Sequence, residues 1–319
     1  MATSRRSFLT AVGIGSAASL AGCMDDLGGG GEDQFVTIAT GGTGGVYFAV
    51  GGGMADVWSN ELDLDASSES TGASVENARL VDSGDVEVAL MLSNAIDQAL
   101  NAEGDFDEPI PLRALFGAYT NPLHVCYQGD MEVEDFTDFE GTSISIGDLG
   151  SATELIARDI FAYYDMDYDD VDAQELSFAE TTDAMLDGHL DAGFYSMGLP
   201  GPAVDELTTQ TDAEILNFSD EDAQGISDEF GYYIPDEIPA GTYDGQDDPI
   251  TQPGAVNTCV VHEDMDEDLA YDLTTAVYEN IDTLIDVHPS AEFFEDFASQ
   301  ATLEYHPGAE SALDDLGLL

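Results

Sequence analysis

Apolar residues along this chain alternate between strand-like and helix-like spacing, and glycine-rich turns mark many of the switches. Phe35 to Ala39 is a short β-rich run, followed by Gly41-Gly42-Thr43-Gly44-Gly45 and an apolar helical segment from Val46 to Trp58. The same reading predicts strands at Asp65 to Ser70, Val86 to Met91 and Leu112 to Ala118, with helices at Ser74 to Asp82 and Asn94 to Asn101. A second round begins with a strand at Thr142 to Ile146, a turn at Gly147 to Thr153 and a helix at Glu154 to Tyr164. Thr181 to Asp187 reads as helix, while Leu190 to Tyr195 and Ala213 to Phe218 read as strands. Gly231 to Pro253, rich in Pro, Gly, Tyr and Asp, is expected to be irregular. Val256 to Val261 is a further strand, and three helices close the chain at about 265–286, 290–300 and 308–316.

Alternating strands and helices imply an α/β fold with a mostly parallel sheet covered by helices. The repeated order predicts two α/β lobes, 34–122 plus 230–319 and 123–229, with crossings near 119–125 and 226–256. A cleft between such lobes, beside strand ends and helix N-termini, is the expected place for a small ligand.

Charge changes the picture. The 319 residues carry 67 Asp and Glu against 5 basic residues, a formal net charge of −62, and all five basic residues are Arg. The carboxylates are interleaved with apolar periodic segments, which favours a folded body with an acidic coat over a disordered chain. Self-repulsion of such a coat is largely screened in molar salt, where the Debye length is about 3 Å. The composition therefore suits a protein of concentrated salt. It argues against nucleic acid as a partner, because phosphates demand basic patches.

The N-terminal segment points to export. Arg5 and Arg6 form a twin-arginine pattern, and an apolar stretch from Leu9 to Leu20 follows, too short to span a bilayer. It ends in Leu20-Ala21-Gly22-Cys23, which looks like a lipobox. Residues 1–22 are thus expected to be a signal peptide, Cys23 the lipidated residue and 23–33 a flexible tether. The expected location is the extracellular face of the membrane, reached by the twin-arginine route, with attachment by lipid only. Cys126 and Cys259 lie in apolar strand-like segments and read as two buried thiols, although an exported location permits a disulfide.

Two turns carry candidate chemistry. Thr43-Gly44-Gly45 and Gly150-Ser151-Ala152-Thr153 each join a strand to a helix N-terminus. Backbone N–H groups and the positive end of a helix dipole make such turns suited to an anion. Other chemistry is poorly represented. There is no Gly-Lys-Ser/Thr phosphate loop, no His-Glu-x-x-His and no Gly-x-Ser-x-Gly. The acidic run Asp165 to Asp170 has Asp170 where a calcium loop needs Gly and Leu176 where it needs Glu. No catalytic residue, metal or cofactor is expected, and the chain reads as a binder rather than an enzyme.

With these residues in hand, the chain resembles the TAXI-type solute receptors of TRAP (tripartite ATP-independent periplasmic) transporters. The resemblance rests on Thr40 to Phe48, Thr71 to Leu80, Gly147 to Glu154, Ile238 to Tyr243 and His306 to Ala309. In the second and third blocks Ala73 and Ala152 stand where that family commonly has Gly. The resemblance implies a type II periplasmic-binding-protein-like fold with a hinged cleft that closes on a small organic anion, such as glutamate or a related carboxylate. It implies a TRAP permease as the membrane partner. It places Thr43, Gly44, Gly45, Tyr47, Ser74 and Asn77 at the first lobe's ligand face, with Ser93 and Asn94 facing the cleft. Ser151 and Thr153 belong to the second lobe's face. Arg79 and Arg113 look structural, while Arg158 lies within a helix. The alternative function is a surface lipoprotein that feeds a sensor.

Overall fold

The computed structural model describes residues 34–319. The twin arginines, the apolar stretch, Cys23 and the tether lie outside the described residues. Among the described residues no helix is long and apolar enough to cross a membrane.

The first round of elements is β1 (Gln34–Ala39), α1 (Val46–Glu61), β2 (Leu64–Glu69), α2 (Ser74–Ser83), β3 (Val88–Leu92) and α3 (Ser93–Asn101), followed by the long strand β4 (Leu112–Tyr127). The second is β5 (Ser143–Ser145), α4 (Ala152–Tyr163), β6 (Asp172–Gln174), α5 (Phe178–Leu186), β7 (Ala192–Ser196), α6 (Pro202–Gln210), β8 (Glu214–Ile215) and α7 (Asp220–Phe230). The chain returns through β9 (Tyr233–Ile238) and β10 (Ile250–His262) and ends in α8 (Glu267–Glu279), α9 (Ile281–Val287), α10 (Phe294–Phe297) and α11 (Pro307–Leu316). Local chemistry sets many of these limits. Ser177 opens α5 with a reciprocal Ser–Glu180 cap, and α2 stops at Gly84, whose φ of 71° is left-handed.

Strand order is β2-β1-β3-β10-β4-β7-β5-β6, with β8 on β4 and β9 on β10. The sheet is mixed rather than mostly parallel. β1 pairs in parallel with β2 and β3, and β5 with β6 and β7. β10 is antiparallel to β3, β4 and β9, because it re-enters the first half of the sheet from the second. β4 belongs to both halves. It pairs with β10 as far as Pro122 and with β7 from Leu123 onward. This one strand carries the chain from one half of the sheet to the other.

Helices cover both faces. On one side Trp58, Met54, Leu273, Val277, Leu284 and Leu313 join a buried cluster under α1, α8, α9 and α11. Trp58 is fully buried and donates its indole N–H to the Leu273 carbonyl at 3.0 Å. On the other, Val75, Ile96, Leu155, Ile160 and Ile226 pack beneath α2, α3, α4 and α7. Each such side chain contributes about 1.5–3 kcal/mol on burial, enough to fix the helices as rigid mounts for the turns between them. Cys126 and Cys259 are free, buried thiols.

Three local expectations need correction. Gly231 to Pro253 is not irregular throughout: β9 pairs with the start of β10, and Pro235 stands opposite Pro253. An edge strand tolerates proline because its outer N–H need not bond. The helix expected at 265–286 is two helices, interrupted at Asn280 (φ −120°), whose side chain bonds the Ala276 carbonyl. The helix expected at 290–300 is a 3-10 turn (Pro289–Phe293) plus the single turn α10. There the Gly117 N–H of β4 bonds the Ala298 carbonyl, and a Cβ on Gly117 would collide with the Phe297 carbonyl.

Candidate functional site

A cavity of about 280 Å³ lies between the two halves of the sheet, lined by the turns that open α1, α2, α4 and α5. The volume suits a small metabolite. Four helices therefore present their N-terminal ends to one space. Their chemistry differs. Ser151 caps α4 by accepting the Glu154 N–H at 3.3 Å, and Ser177 caps α5 through the Glu180 N–H at 3.4 Å. α1 and α2 have no side-chain cap at Gly45 or Ala73. The leading N–H groups of α1 keep the positive end of its dipole available to a solute, whereas in α2 the Val75 N–H is already taken by the Gly150 carbonyl. The cradle is thus strongest at the start of α1.

The halves touch around the cavity. Gly44 and Gly45 lie against the start of α5, where a Cβ on Gly44 would stand 3.4 Å from the Ala179 nitrogen. Opposite, Val75 N–H donates to the Gly150 carbonyl at 3.2 Å. At the back, the Asn121 amide of β4 donates to the Ser196 carbonyl of β7 at 3.0 Å. These contacts join the two halves of the sheet around the cavity.

Of the residues expected at the ligand, Thr43, Gly44, Gly45, Tyr47, Ser74, Ser151 and Thr153 line the cavity. Tyr47 is the most telling. It is 7% exposed, and its hydroxyl, beside the Ser74 side chain, makes no hydrogen bond of good geometry. Burial pushes its pKa above the ordinary tyrosine range, so it stays protonated and able to donate. The Ser196 hydroxyl is likewise buried and unpartnered. Buried polar atoms without partners carry a desolvation cost of about 1–3 kcal/mol each, which a bound solute can relieve.

Asn77, Ser93 and Asn94 do not line the cavity. Their polar groups are committed to the fold. The Asn77 amide donates to the carbonyls of Thr40 and Leu90, both at 2.8 Å, and its oxygen accepts the Thr71 hydroxyl. It ties β1, β3 and the turn before α2 together. Ser93 donates to the Tyr232 carbonyl at 2.8 Å. Asn94 donates to the Ala152 carbonyl at 3.0 Å, holding the N-terminus of α4 from behind.

The cavity also takes in residues that sequence reasoning did not place there: Asn121, Asp148, Phe178, Ala179, Ser196 and Met197. The Ser-x-x-Glu pattern at Ser177 to Glu180 signals a helix start and was a usable pointer to Phe178 and Ala179. Asn121 and Ser196 sit on strands far apart in sequence, and no local signal joins them.

The three arginines among the described residues are engaged elsewhere. Arg79 donates to the Asp105 carbonyl at 2.7 Å, Arg113 pairs with Glu263 and Glu304, and Arg158 grips Glu154 through both carboxylate oxygens. None of the three lines the cavity. Among the described residues no three His, Cys, Asp or Glu converge to hold a metal ion.

The fold is that of the two-lobed periplasmic binding proteins. Among solved structures, the chain is similar to a protein of Bordetella bronchiseptica RB50, at 18% identity over 89% of each chain with a TM-score of 0.55. It is also similar to the ligand-binding component of an ABC-type import system from Staphylococcus aureus, at 12% identity over 90% of this chain and 93% of that one, with a TM-score of 0.50. The alkanesulfonate-binding protein SsuA of Xanthomonas axonopodis pv. citri matches at 13% identity over 88% of this chain and 83% of that one, with a TM-score of 0.47. Residues 38–317 match the model of the NMT1-like family, and the chain belongs to that family of periplasmic solute-binding proteins.

Proposed function

We propose that this protein is the lipid-anchored extracytoplasmic receptor of a TRAP-type transporter and captures a small organic solute bearing a carboxylate. The observation that carries the solute class is the convergence of four helix N-termini on one cavity that no cationic side chain lines. A carboxylate docked on the α1 end would meet free N–H groups and a positive dipole end. The hydroxyls of Thr43, Ser74, Ser151 and Thr153, with Tyr47, would complete the cradle. Lobes bounded by 34–122 plus 230–319 and by 123–229 would hinge about the crossing in β4 and the return through β10. Closure around the solute would be stabilised by differential contacts from both sides. The sequence blocks shared with TAXI receptors support the TRAP assignment, and Cys23 would supply the anchor after twin-arginine export.

A second reading has an observation in its favour. The Staphylococcus aureus neighbour belongs to an ABC-type importer, which makes an ABC permease the competing partner. Co-purification of the receptor with the permease encoded beside it separates the two.

Isothermal titration in molar salt tests the solute class. Carboxylates, glutamate included, are expected to bind with micromolar or tighter affinity, about −8 kcal/mol or better. Failure of every carboxylate tried would remove the reading.

A further inference from the structure

Eight asparagines lie along the chain, and the acceptor pattern Asn-x-Ser/Thr, with x other than Pro, occurs at one of them, Asn217-Phe218-Ser219. A three-residue pattern arises easily by chance, so the side-chain amides themselves decide. Seven of the eight amide nitrogens are committed. Asn60, Asn101 and Asn280 each donate one helical turn back, to the carbonyls of Asp56, Asp97 and Ala276. Asn77, Asn94, Asn121 and Asn257 donate to buried carbonyls of Thr40, Leu90, Ala152, Ser196 and Tyr119. Asn217 is engaged through its oxygen instead. The Thr251 N–H of β10 donates to Asn217 Oδ1 at 2.8 Å. A backbone N–H can only donate, so the atom it meets is the oxygen, and Nδ2 is the end left over.

The backbone presents that end outward. Asn217 and Ser219 are exposed, whereas Phe218 between them is buried. This alternation is the period of extended chain, and Ser219 holds an extended backbone (φ −68°, ψ 152°). The Phe218 N–H bonds the Thr251 carbonyl at 3.1 Å, and its ring packs in the core beside Tyr164. The anchored ring turns the amide, and the hydroxyl two residues on, out to one side in the loop between β8 and α7. Residues 216–219 do not line the cavity, so a bulky group on Asn217 leaves the solute site open. Ser219 caps α7 by accepting the Asp222 N–H at 3.0 Å, and it donates to the Asp222 carboxylate at 2.6 Å. Both bonds are solvent-exposed at a helix end, where local opening frees the hydroxyl most readily.

We propose that Asn217 is an N-glycosylation site of the mature protein. The family is extracytoplasmic, which places the acceptor where membrane-borne glycan donors meet exported chains. The twin-arginine route expected from Arg5 and Arg6 carries folded chains, so an acceptor has to be accessible in the fold, as Asn217 is. The donor is a glycan linked through phosphate to a polyprenyl lipid. A bond forms between Asn217 Nδ2 and the anomeric carbon of the glycan. The bond from that carbon to the phosphate oxygen breaks, and the lipid phosphate leaves with its electron pair. Nδ2 gives up one proton to the leaving phosphate, and no oxidant or reductant takes part.

Protein purified from its own cells provides the test. A glutamate-specific protease releases residues 215–221, between Glu214 and Glu221, and the peptide is sequenced by mass spectrometry. It should carry a sugar mass on Asn217 in at least about a tenth of the molecules. Ser219→Thr, which keeps the hydroxyl, should retain the sugar, while Ser219→Ala and Asn217→Gln should lose it. Occupancy below about a tenth in the native protein overturns the site, as does Ser219→Ala protein modified as fully as native. The native peptide is read directly, so it decides the matter even if a variant does not fold.

Discussion

At Ala73 the backbone holds φ 72° and ψ −148°, a region essentially restricted to glycine. The residue forms part of the cavity wall and precedes the uncapped start of α2. An L side chain there costs about 1–3 kcal/mol, so the site holds strain that packing around it sustains. Ala73→Gly should relieve it. Set against about 0.5–1 kcal/mol of added backbone entropy in the unfolded chain, the net gain should be about 1 kcal/mol. Denaturant unfolding in molar salt measures this directly; a loss of stability would show that the Ala73 conformation is unstrained. Residue identities in the turn were legible in sequence, as was the departure from Gly at this position. The dihedral that makes the departure costly belongs to the folded backbone. Asn77 and Ser93 teach the same lesson from another side. A buried amide or hydroxyl can serve a ligand or a carbonyl, and only the positions of Thr40, Leu90 and Tyr232 show that here it serves carbonyls.

Among elements, the informative assembly is the junction of α3, α4 and β9. Asn94 of α3 reaches the Ala152 carbonyl and, at 3.4 Å, the Tyr233 hydroxyl. Tyr233 donates at 2.6 Å, and Tyr232 at 3.0 Å, to the Asp159 carboxylate of α4. Burial raises Asp159 while the two tyrosyl donors lower it, so the network exchanges solvation for bonds inside the fold. It fixes where α4 begins relative to α3, and so where Ser151 and Thr153 meet the solute. Asn94→Ala should lower stability by about 1–3 kcal/mol and weaken solute binding roughly three- to tenfold, although Asn94 lies outside the cavity. Titration beside a denaturant curve separates the two effects, and unchanged affinity would make the network merely structural. Helices with strong apolar spacing, α1, α2 and α4 above all, were legible to within a few residues. β9 was not, because its four exposed or half-exposed positions between Tyr233 and Ile238, one of them Pro235, give no strand period. Its pairing with β10 decides its conformation. The break at Asn280 was equally silent, since apolar spacing continues through Ile281 and Leu284 while the side chain bonds Ala276.

For the whole molecule, charge dominates. A net charge of −62 repels itself strongly in dilute salt, and most of the Asp and Glu side chains lie at the surface, where ions screen them. The melting temperature should climb steeply from low to molar salt and flatten once the Debye length nears about 3 Å. Circular dichroism melts across that range check it; a flat profile would sever the acidic coat from any salt requirement. The same charge frames the site, because a protein this acidic has few cations to give a ligand, and all three of those described are engaged with carboxylates or carbonyls.

The sequence by itself determined the α/β alternation, the glycine turns at helix starts, the acidic coat and the cavity-lining residues from Thr43 to Tyr47 and Ser151 to Thr153. These are local properties, written in spacing and composition over a few adjacent residues. The tertiary structure decided that β10 returns antiparallel, that β4 serves both halves, and that Asn121, Asp148, Phe178 and Ser196 share one space with the turns. Those facts depend on contacts between residues far apart in the chain, such as Asn121 with Ser196 and Val88 with Val261. Chain-distant contacts of this kind are selected by packing and hydrogen-bond satisfaction of the whole, and no short stretch of sequence encodes them.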